Sequence, residues 1–401
     1  MNKLDNKNSD KLTLLCSLAY FVSYITRINF AAVIAAVIAD GDIDKTSAGA
    51  VTTLGFITYG VGQLISGWLG DRINPKKLMF FGFVLTGFMN LSIPFCKSGM
   101  AMCCIWAING FAQSLMWPPL VKIMHTAMES DKYNKGCVKV SWGSTIATIL
   151  IYLVSPLIIK LSGWRTVFYI TSITAFIMSA VWITCVTKIE STGNIKYTSN
   201  TNIKSKHSYK IGGLLLAVTM LAIMLQGCLR DGVTTWVPTY VSEVFHLGSE
   251  ISILSGVIIP VFGLASLQLT SVFYNKMGKK PYKCAGILFI LATLCTLALV
   301  FLKINSVIFT ISMFGIIVAS MHGINLILVC FVPAIYADKD NVSSLSGILN
   351  FMTYVGSASS TYGFAVLSDN SGWTATVISW AVIAFLGTIT CLLCSIKSKN
   401  N

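Results

Sequence analysis

The stretch Gly67-Trp68-Leu69-Gly70-Asp71-Arg72-Ile73-Asn74-Pro75-Lys76-Lys77 joins two long apolar blocks, and a weaker copy, Asn275-Lys276-Met277-Gly278-Lys279-Lys280, does the same in the second half of the chain. Asp71 and Asn275 are 204 residues apart (275 − 71 = 204). Two further markers keep nearly the same offset. Arg27 and Arg230 each lie inside the first apolar block of their half, 203 apart (230 − 27 = 203). Gly163-Trp164 has an echo in Gly372-Trp373, 209 further on (372 − 163 = 209). Three features at similar offsets indicate a parallel duplication.

The blocks joined by these turns decide the environment. Of 401 residues, 55% are hydrophobic and 11% charged, whereas soluble domains carry about 25% charged residues. The apolar residues fall into twelve candidate spans, at 12–38, 47–69, 78–96, 100–123, 138–160, 165–187, 211–241, 251–273, 284–302, 306–336, 343–367 and 373–395. Most are near the length that crosses a bilayer, and Gly and Pro are tolerated within them. The first block, Leu12 to Ala39, is too long for a signal-peptide core and lacks a small-residue cleavage site, so it is expected to remain as a span. The expected fold is an all-α membrane protein of twelve transmembrane helices in two six-helix halves. Residues 1–188 form the N-terminal half and 211–401 the C-terminal half, joined by 189–210, a cytoplasmic linker rich in Ser, Thr, Asn and Lys.

The net charge of +14 sits in short loops, which fits helix orientation rather than nucleic-acid binding. With a cytoplasmic N-terminus, the inner side carries most cations, among them Lys3, Lys7, Lys11, Arg72, Lys76, Lys77, Lys132, Lys135, Lys139, Lys204, Lys206, Lys279 and Lys280. The outer side has Lys45, Lys97, Arg165, Lys303 and the border residue Lys160. This asymmetry places both termini in the cytoplasm, and the expected location is the cell inner membrane. The 12 cysteines are scattered through apolar blocks and read as small buried hydrophobes. The Cys391/Cys394 spacing has no second pair or nearby histidine, so no metal site is expected. There is no Walker motif, Rossmann glycine pattern or nucleophile elbow. The chain therefore reads as a non-enzyme without a cofactor, energised by an exchanged solute or an ion gradient.

An arginine near the middle of a span costs about 2.5–3.5 kcal/mol on insertion scales, so two at matching places need a reason. Guanidinium groups bind phosphate or carboxylate bidentately, which points to an anion site shared by the halves. The alternative is ion bridging to buried acids. Asp231 is the only acid near Arg230, and adjacent residues on a helix do not face each other. Tyr20, Tyr24 and Arg27 share one helix face, as do Tyr59 with Gln63 and Gln226 with Arg230. Such faces line a polar pathway or supply interhelical hydrogen bonds. Pro118 and Pro119, after Asn109-Gly110-x-x-Gln113, break the backbone ladder of span four, as suits a helix that bends during gating, with a static kink as the alternative. His322 reads as a packed side chain, with substrate or proton binding as the alternative. Asp71, Arg72, Asn275 and Lys276 are expected at cytoplasmic helix ends, pairing between helices and holding one conformational state.

Taken together, the loop motif, twelve spans and duplication resemble the major facilitator superfamily. Arg27 with Asn29-Phe30, Asp71-Arg72-x-Asn74-Pro75, Asn109-Gly110-x-x-Gln113…Trp117-Pro118-Pro119 and Arg230…Trp236-x-Pro238-Thr239-Tyr240 resemble, more narrowly, the organophosphate:phosphate antiporter family, which contains the glycerol-3-phosphate and hexose-phosphate transporters. The resemblance implies alternating-access exchange of a sugar phosphate or glycerol phosphate for inorganic phosphate by a monomer. It implies that Arg27 and Arg230 grip the phosphoryl group, and that Tyr20, Tyr24, Tyr59, Gln63, Trp117 and Tyr354 line the pathway. Two departures stand out. Gln63 occupies a place where the family often has lysine, and Gly143-Ser144-Thr145-Ile146 follows Trp142 where the glycerol-phosphate branch has a histidine. They leave open an organic carboxylate or a different sugar phosphate as substrate; the resembling family also contains transporter-like sensors, so a non-transporting membrane sensor is a further alternative.

Overall fold

The structure is a computed structural model describing residues 3–41, 43–193, 211–246, 249–302, 304, 306–337 and 341–398. Its first half contains α1 (Asn6–Ala39), α2 (Lys45–Arg72), α3 (Pro75–Ser92), α4 (Gly99–Ser114), α5 (Trp117–Ala127), α6 (Ser130–Ser162) and α7 (Trp164–Gly193). The second contains α8 (Gly213–Phe245), α9 (Ser249–Lys276), α10 (Pro281–Phe301), α11 (Val307–Asn325), α12 (Val332–Tyr336) and α13 (Val342–Lys397). Ten helical stretches among the described residues are long and apolar enough to cross a membrane. One of them, α13, holds the last two expected spans, divided at Gly372. With α9, the twelve spans are accounted for, and this is an all-α multi-pass membrane protein.

Helix starts follow local chemistry. Asp5, Asp44, Asn74, Ser98 and Ser306 each accept a hydrogen bond from a backbone N–H of the turn they open, satisfying donors that have no intrahelical partner. The fourth span is two helices. Pro118 and Pro119 lie in the first turn of α5, where a missing N–H is tolerated. The chain steps across Leu115 and Met116, whose N–H groups reach Ala112 O and Gln113 O at 3.2 Å. The tenth span is interrupted as well. Leu326–Phe331 form a wider π-helical stretch just before Pro333, which cannot donate to the ladder. Helix α7 continues through Gly193, into the segment expected as linker. Residues 194–210 of that linker lie outside the described residues.

The chain divides into two compact units, Met1–Ser208 with Ala337–Ile348, and Tyr209–Tyr336 with Leu349–Asn401. The first therefore includes the opening two turns of α13. Its interior has an apolar floor of Phe30, Val33, Val37, Trp106, Trp164 and Phe168, above which lies a polar knot. Asn29 Nδ2 donates to Asn90 Oδ1 (2.6 Å) and Thr171 Oγ1 (2.9 Å), and Asn90 Nδ2 to Thr26 O (3.2 Å). Asn109 Nδ2 also reaches Thr26 O (3.2 Å), and Gln113 Nε2 reaches Thr26 Oγ1 (2.7 Å). Four helices, α1, α3, α4 and α7, are thus tied together around Thr26. Such ties substitute for the hydrophobic drive that lipid surroundings do not supply.

In the second unit α8 and α13 approach until their backbones touch. A Cβ on Gly227 would stand 2.1 Å from Thr353 O, and one on Gly356 2.0 Å from Met224 O. Each unit repeats one further device. Gly163 (φ 80°) and Gly372 (φ 75°) turn the chain in the left-handed region that favours glycine. The tryptophan that follows donates Nε1–H to an acid at the C-terminal end of the first helix of its unit, Trp164 to the capping residue Asp40 (2.9 Å) and Trp373 to Glu243 (2.8 Å). That shared clasp explains the Gly-Trp echo. Gly227→Val is expected to destabilise the protein by roughly 1–3 kcal/mol or prevent folding. Gly213→Val, where a Cβ meets nothing within 4 Å, should leave the thermal midpoint nearly unchanged; melting curves of the two variants check this.

Candidate functional site

Residue 27 follows the pinned Thr26 directly, so the start of its side chain is set by the polar knot. The Arg27 guanidinium carbon lies over the rings of Tyr24 (4.1 Å) and Tyr59 (4.4 Å). The stack continues through Tyr20, 5.0 Å from Tyr24 and 4.9 Å from Trp117, ring centre to ring centre. Arg27, Tyr20, Tyr24, Tyr59 and Trp117, chosen from sequence, are thus one cluster built by α1, α2 and α5. Gln63, one turn beyond Tyr59, is fully buried. Trp117 is 4% exposed, and its buried Nε1–H has no hydrogen-bond acceptor among the described residues. A cation over the face of a tyrosine ring is attracted by the ring quadrupole, worth up to about 2 kcal/mol when desolvated.

Arg230 corrects the sequence reading. Its Nε donates to Asp231 Oδ1 (2.6 Å) and its Nη2 to Asp231 Oδ2 (2.7 Å). Adjacent side chains leave a helix in different directions, but the long arginine arm curls back to meet the short acid. Ser357 Oγ of α13 donates to Asp231 Oδ2 (2.5 Å), and His322 of α11 is within electrostatic range of both charges. Gln226, one turn before Arg230, donates to Met321 O (2.9 Å) and so joins α8 to α11. Tyr354 is half-buried on α13, one turn before Ser357. The second unit therefore presents a compensated arginine, and sequence reasoning missed Asp231 and Ser357 as its partners.

The loop around Asp71, expected at a cytoplasmic helix end, has a definite geometry in the first unit. Asp71 Oδ1 and Oδ2 accept from the N–H groups of Ser343 (3.2 Å) and Ser344 (2.7 Å). These belong to the first turn of α13, so Asp71 caps a helix remote in sequence, where a negative charge also complements the helix dipole. Lys122 Nζ lies 3.4 Å from Asp71 Oδ1 and donates to Asp71 O (3.1 Å). The Asp71 and Lys122 side chains are 3% and 6% exposed. Arg72 differs from expectation. It lies over its own neighbour Trp68 (4.2 Å) and donates to Trp68 O, instead of pairing between helices. Asn275 and Lys276 are exposed at the end of α9 and make no side-chain bond among the described residues, so the second copy of the motif lacks the acid-to-helix cap.

The profile described as Major Facilitator Superfamily matches residues 16–361. A probable hexose phosphate transport protein of Chlamydia trachomatis is 30% identical over 169 residues, 41% of this chain and 36% of that protein. The alignment thus spans about a third of that relative's length. The glycerol-3-phosphate transporter of Bacillus subtilis is 26% identical over 319 residues, 72% of each chain. The membrane sensor protein UhpC of Salmonella typhimurium is 32% identical over 150 residues, 37% of this chain and 34% of that one. Among solved structures, a proton:xylose symporter superposes with a TM-score of 0.74 at 14% identity, covering 97% of this chain and 95% of that one, a likeness of fold. For the Asp71 cap, Asp71→Asn is expected to leave Lys122 buried without its counter-charge and to lower stability by about 3–5 kcal/mol. The double variant Asp71→Asn with Lys122→Met should recover part of that loss in thermal unfolding; an additive loss would mean the two side chains do not act together.

Proposed function

The chain belongs to the Major Facilitator Superfamily, and we propose that it is a secondary active carrier that moves a small organic anion by alternating access, a sugar phosphate or glycerol phosphate exchanged for inorganic phosphate. The observation that carries the reading is Arg27, a cation inside a membrane helix held against Tyr24 and Tyr59. Its cost in a membrane is offset when an anion binds, and a guanidinium can recognise a phosphate or carboxylate bidentately. Arg27 and Arg230 would grip the anion, with Tyr20, Tyr24, Tyr59, Gln63, Trp117 and Tyr354 along the path and Trp117 Nε1–H as a further donor. Asp71 with Lys122 would stabilise one conformational state through the cap on α13, while Pro118 and Pro119 would mark the flexing point of the fourth span. Arg72, Asn275 and Lys276 would contribute as cytoplasmic-end residues. The names of the hexose-phosphate and glycerol-3-phosphate relatives support the substrate class. The cation asymmetry supports an orientation with both termini cytoplasmic; the carrier would be an inner-membrane monomer, with the linker 189–210 between halves 1–188 and 211–401.

A carboxylate substrate is the second reading. Arg230 already bears the carboxylate of Asp231, and Gln63 supplies no charge, so the positive charge offered to a dianion is modest. In proteoliposomes loaded with inorganic phosphate, labelled glycerol 3-phosphate or hexose 6-phosphate should enter in exchange. Arg27→Lys, which loses the planar fork, should reduce uptake about a hundredfold, equivalent to roughly 3 kcal/mol. Entry of a dicarboxylate instead would select the second reading. Ligand binding with no flux of any anion would select a sensor, as one relative is named.

A further inference from the structure

The Arg230–Asp231 pair has a chemical consequence for any anion that comes to Arg230. Both in-plane donors of one edge of the guanidinium, Nε and Nη2, are engaged by Asp231 at 2.6 and 2.7 Å. That is the fork a phosphate or carboxylate uses. The carboxylate is therefore a built-in stand-in for the anion, and a ligand taking the same edge must displace it. The pair is accessible, with side-chain exposures of 14% for Arg230 and 34% for Asp231. Asp231 nevertheless faces neighbouring helices, because Ser357 Oγ of α13 reaches its Oδ2 and His322 of α11 interacts with it electrostatically.

We propose that anion binding at Arg230 displaces the Asp231 carboxylate and that Asp231 then takes up one proton, so that substrate binding is linked to proton binding. This rests on the reading of Arg230 as an anion contact. Two unscreened negative charges beside one guanidinium are unfavourable, and a proton from water on one Asp231 oxygen removes one of them. The only interaction broken is the ion pair to Arg230. Ser357 remains within reach and can accept from the carboxylic O–H where it had donated to the carboxylate, since a hydroxyl does either. The charged and titratable groups acting on Asp231 are few. Its own helix gives Arg230 and Cys228, α11 gives His322, and α13 gives the neutral Ser357. Among the side chains described on α9, the only charged one is Lys276, at the far end of that helix.

The test uses the purified full chain and glycerol 3-phosphate as probe, titrated calorimetrically in buffers of different ionisation enthalpy to count protons. The wild type should take up about one more proton per probe bound than Asp231→Asn, since the probe's own titration is common to both. Relative to that variant, wild-type affinity should weaken by up to about tenfold per pH unit as pH rises, the slope for one linked proton. A protonated-carboxyl infrared band should appear on adding probe to the wild type, a readout that does not depend on the variant folding. His322→Gln should keep the extra proton. Equal proton counts in wild type and Asp231→Asn, or no carboxyl band, would overturn the linkage while leaving the anion site intact. Loss of the extra proton in His322→Gln would move it to the histidine and overturn the assignment to Asp231. Absence of any probe binding by the wild type would instead overturn the anion-site reading, and the linkage with it.

Discussion

Charge in a membrane interior must be matched, and the arrangement of this protein follows from how it matches each one. Arg27 is held by the faces of Tyr24 and Tyr59, Arg230 by the neighbouring Asp231, and Asp71 by Lys122 and two backbone N–H groups. The three solutions differ in kind. Arg27 rests against two aromatic ring faces, a setting that attracts a cation. At Arg230 a bidentate carboxylate occupies Nε and Nη2. A buried pair that also caps a helix is a structural lock, whose strength lies in the penalty for removing one partner.

The polar knot around Thr26 gives the first of these its precision. Asn90 and Asn109 hold the carbonyl of Thr26, and Gln113 its hydroxyl, one residue before Arg27. The same α4 helix that supplies Asn109 and Gln113 ends at the proline break, after which α5 opens with Trp117 and the aromatic stack. Scaffold and recognition surface are thus successive segments of one span.

Much of this was legible in the sequence because membrane insertion writes a strong code. Apolar blocks gave the spans, and the repeated loop, the paired arginines and the Gly-Trp corners gave the duplication. The i, i+4, i+7 spacing of Tyr20, Tyr24 and Arg27 put them on one face, and the structure brings in Tyr59 and Trp117 from two other helices. What was not legible depended on side-chain reach and distant partners. Asp231 was set aside because neighbours on a helix diverge, a rule that a flexible arginine arm escapes. Ser343 and Ser344 carry no signal as partners of Asp71, because they act through backbone N–H groups. Arg72 reads as a pairing charge, yet Trp68 offers it a nearer surface. Nothing in composition distinguishes Asn109 and Gln113 as scaffold from the same residues as pathway.

The central claim is that Arg27 in its tyrosine setting binds an organic anion. A thermal-shift series of purified protein against phosphate esters, carboxylates and the matching uncharged sugars and glycerol tests it most directly, since a ligand that binds only the folded state raises the midpoint with concentration. The account predicts a rise with an organic phosphate, none with its dephosphorylated counterpart, and loss of the rise in Arg27→Lys. An equal rise with the uncharged compound, or an unchanged rise in Arg27→Lys, would contradict it.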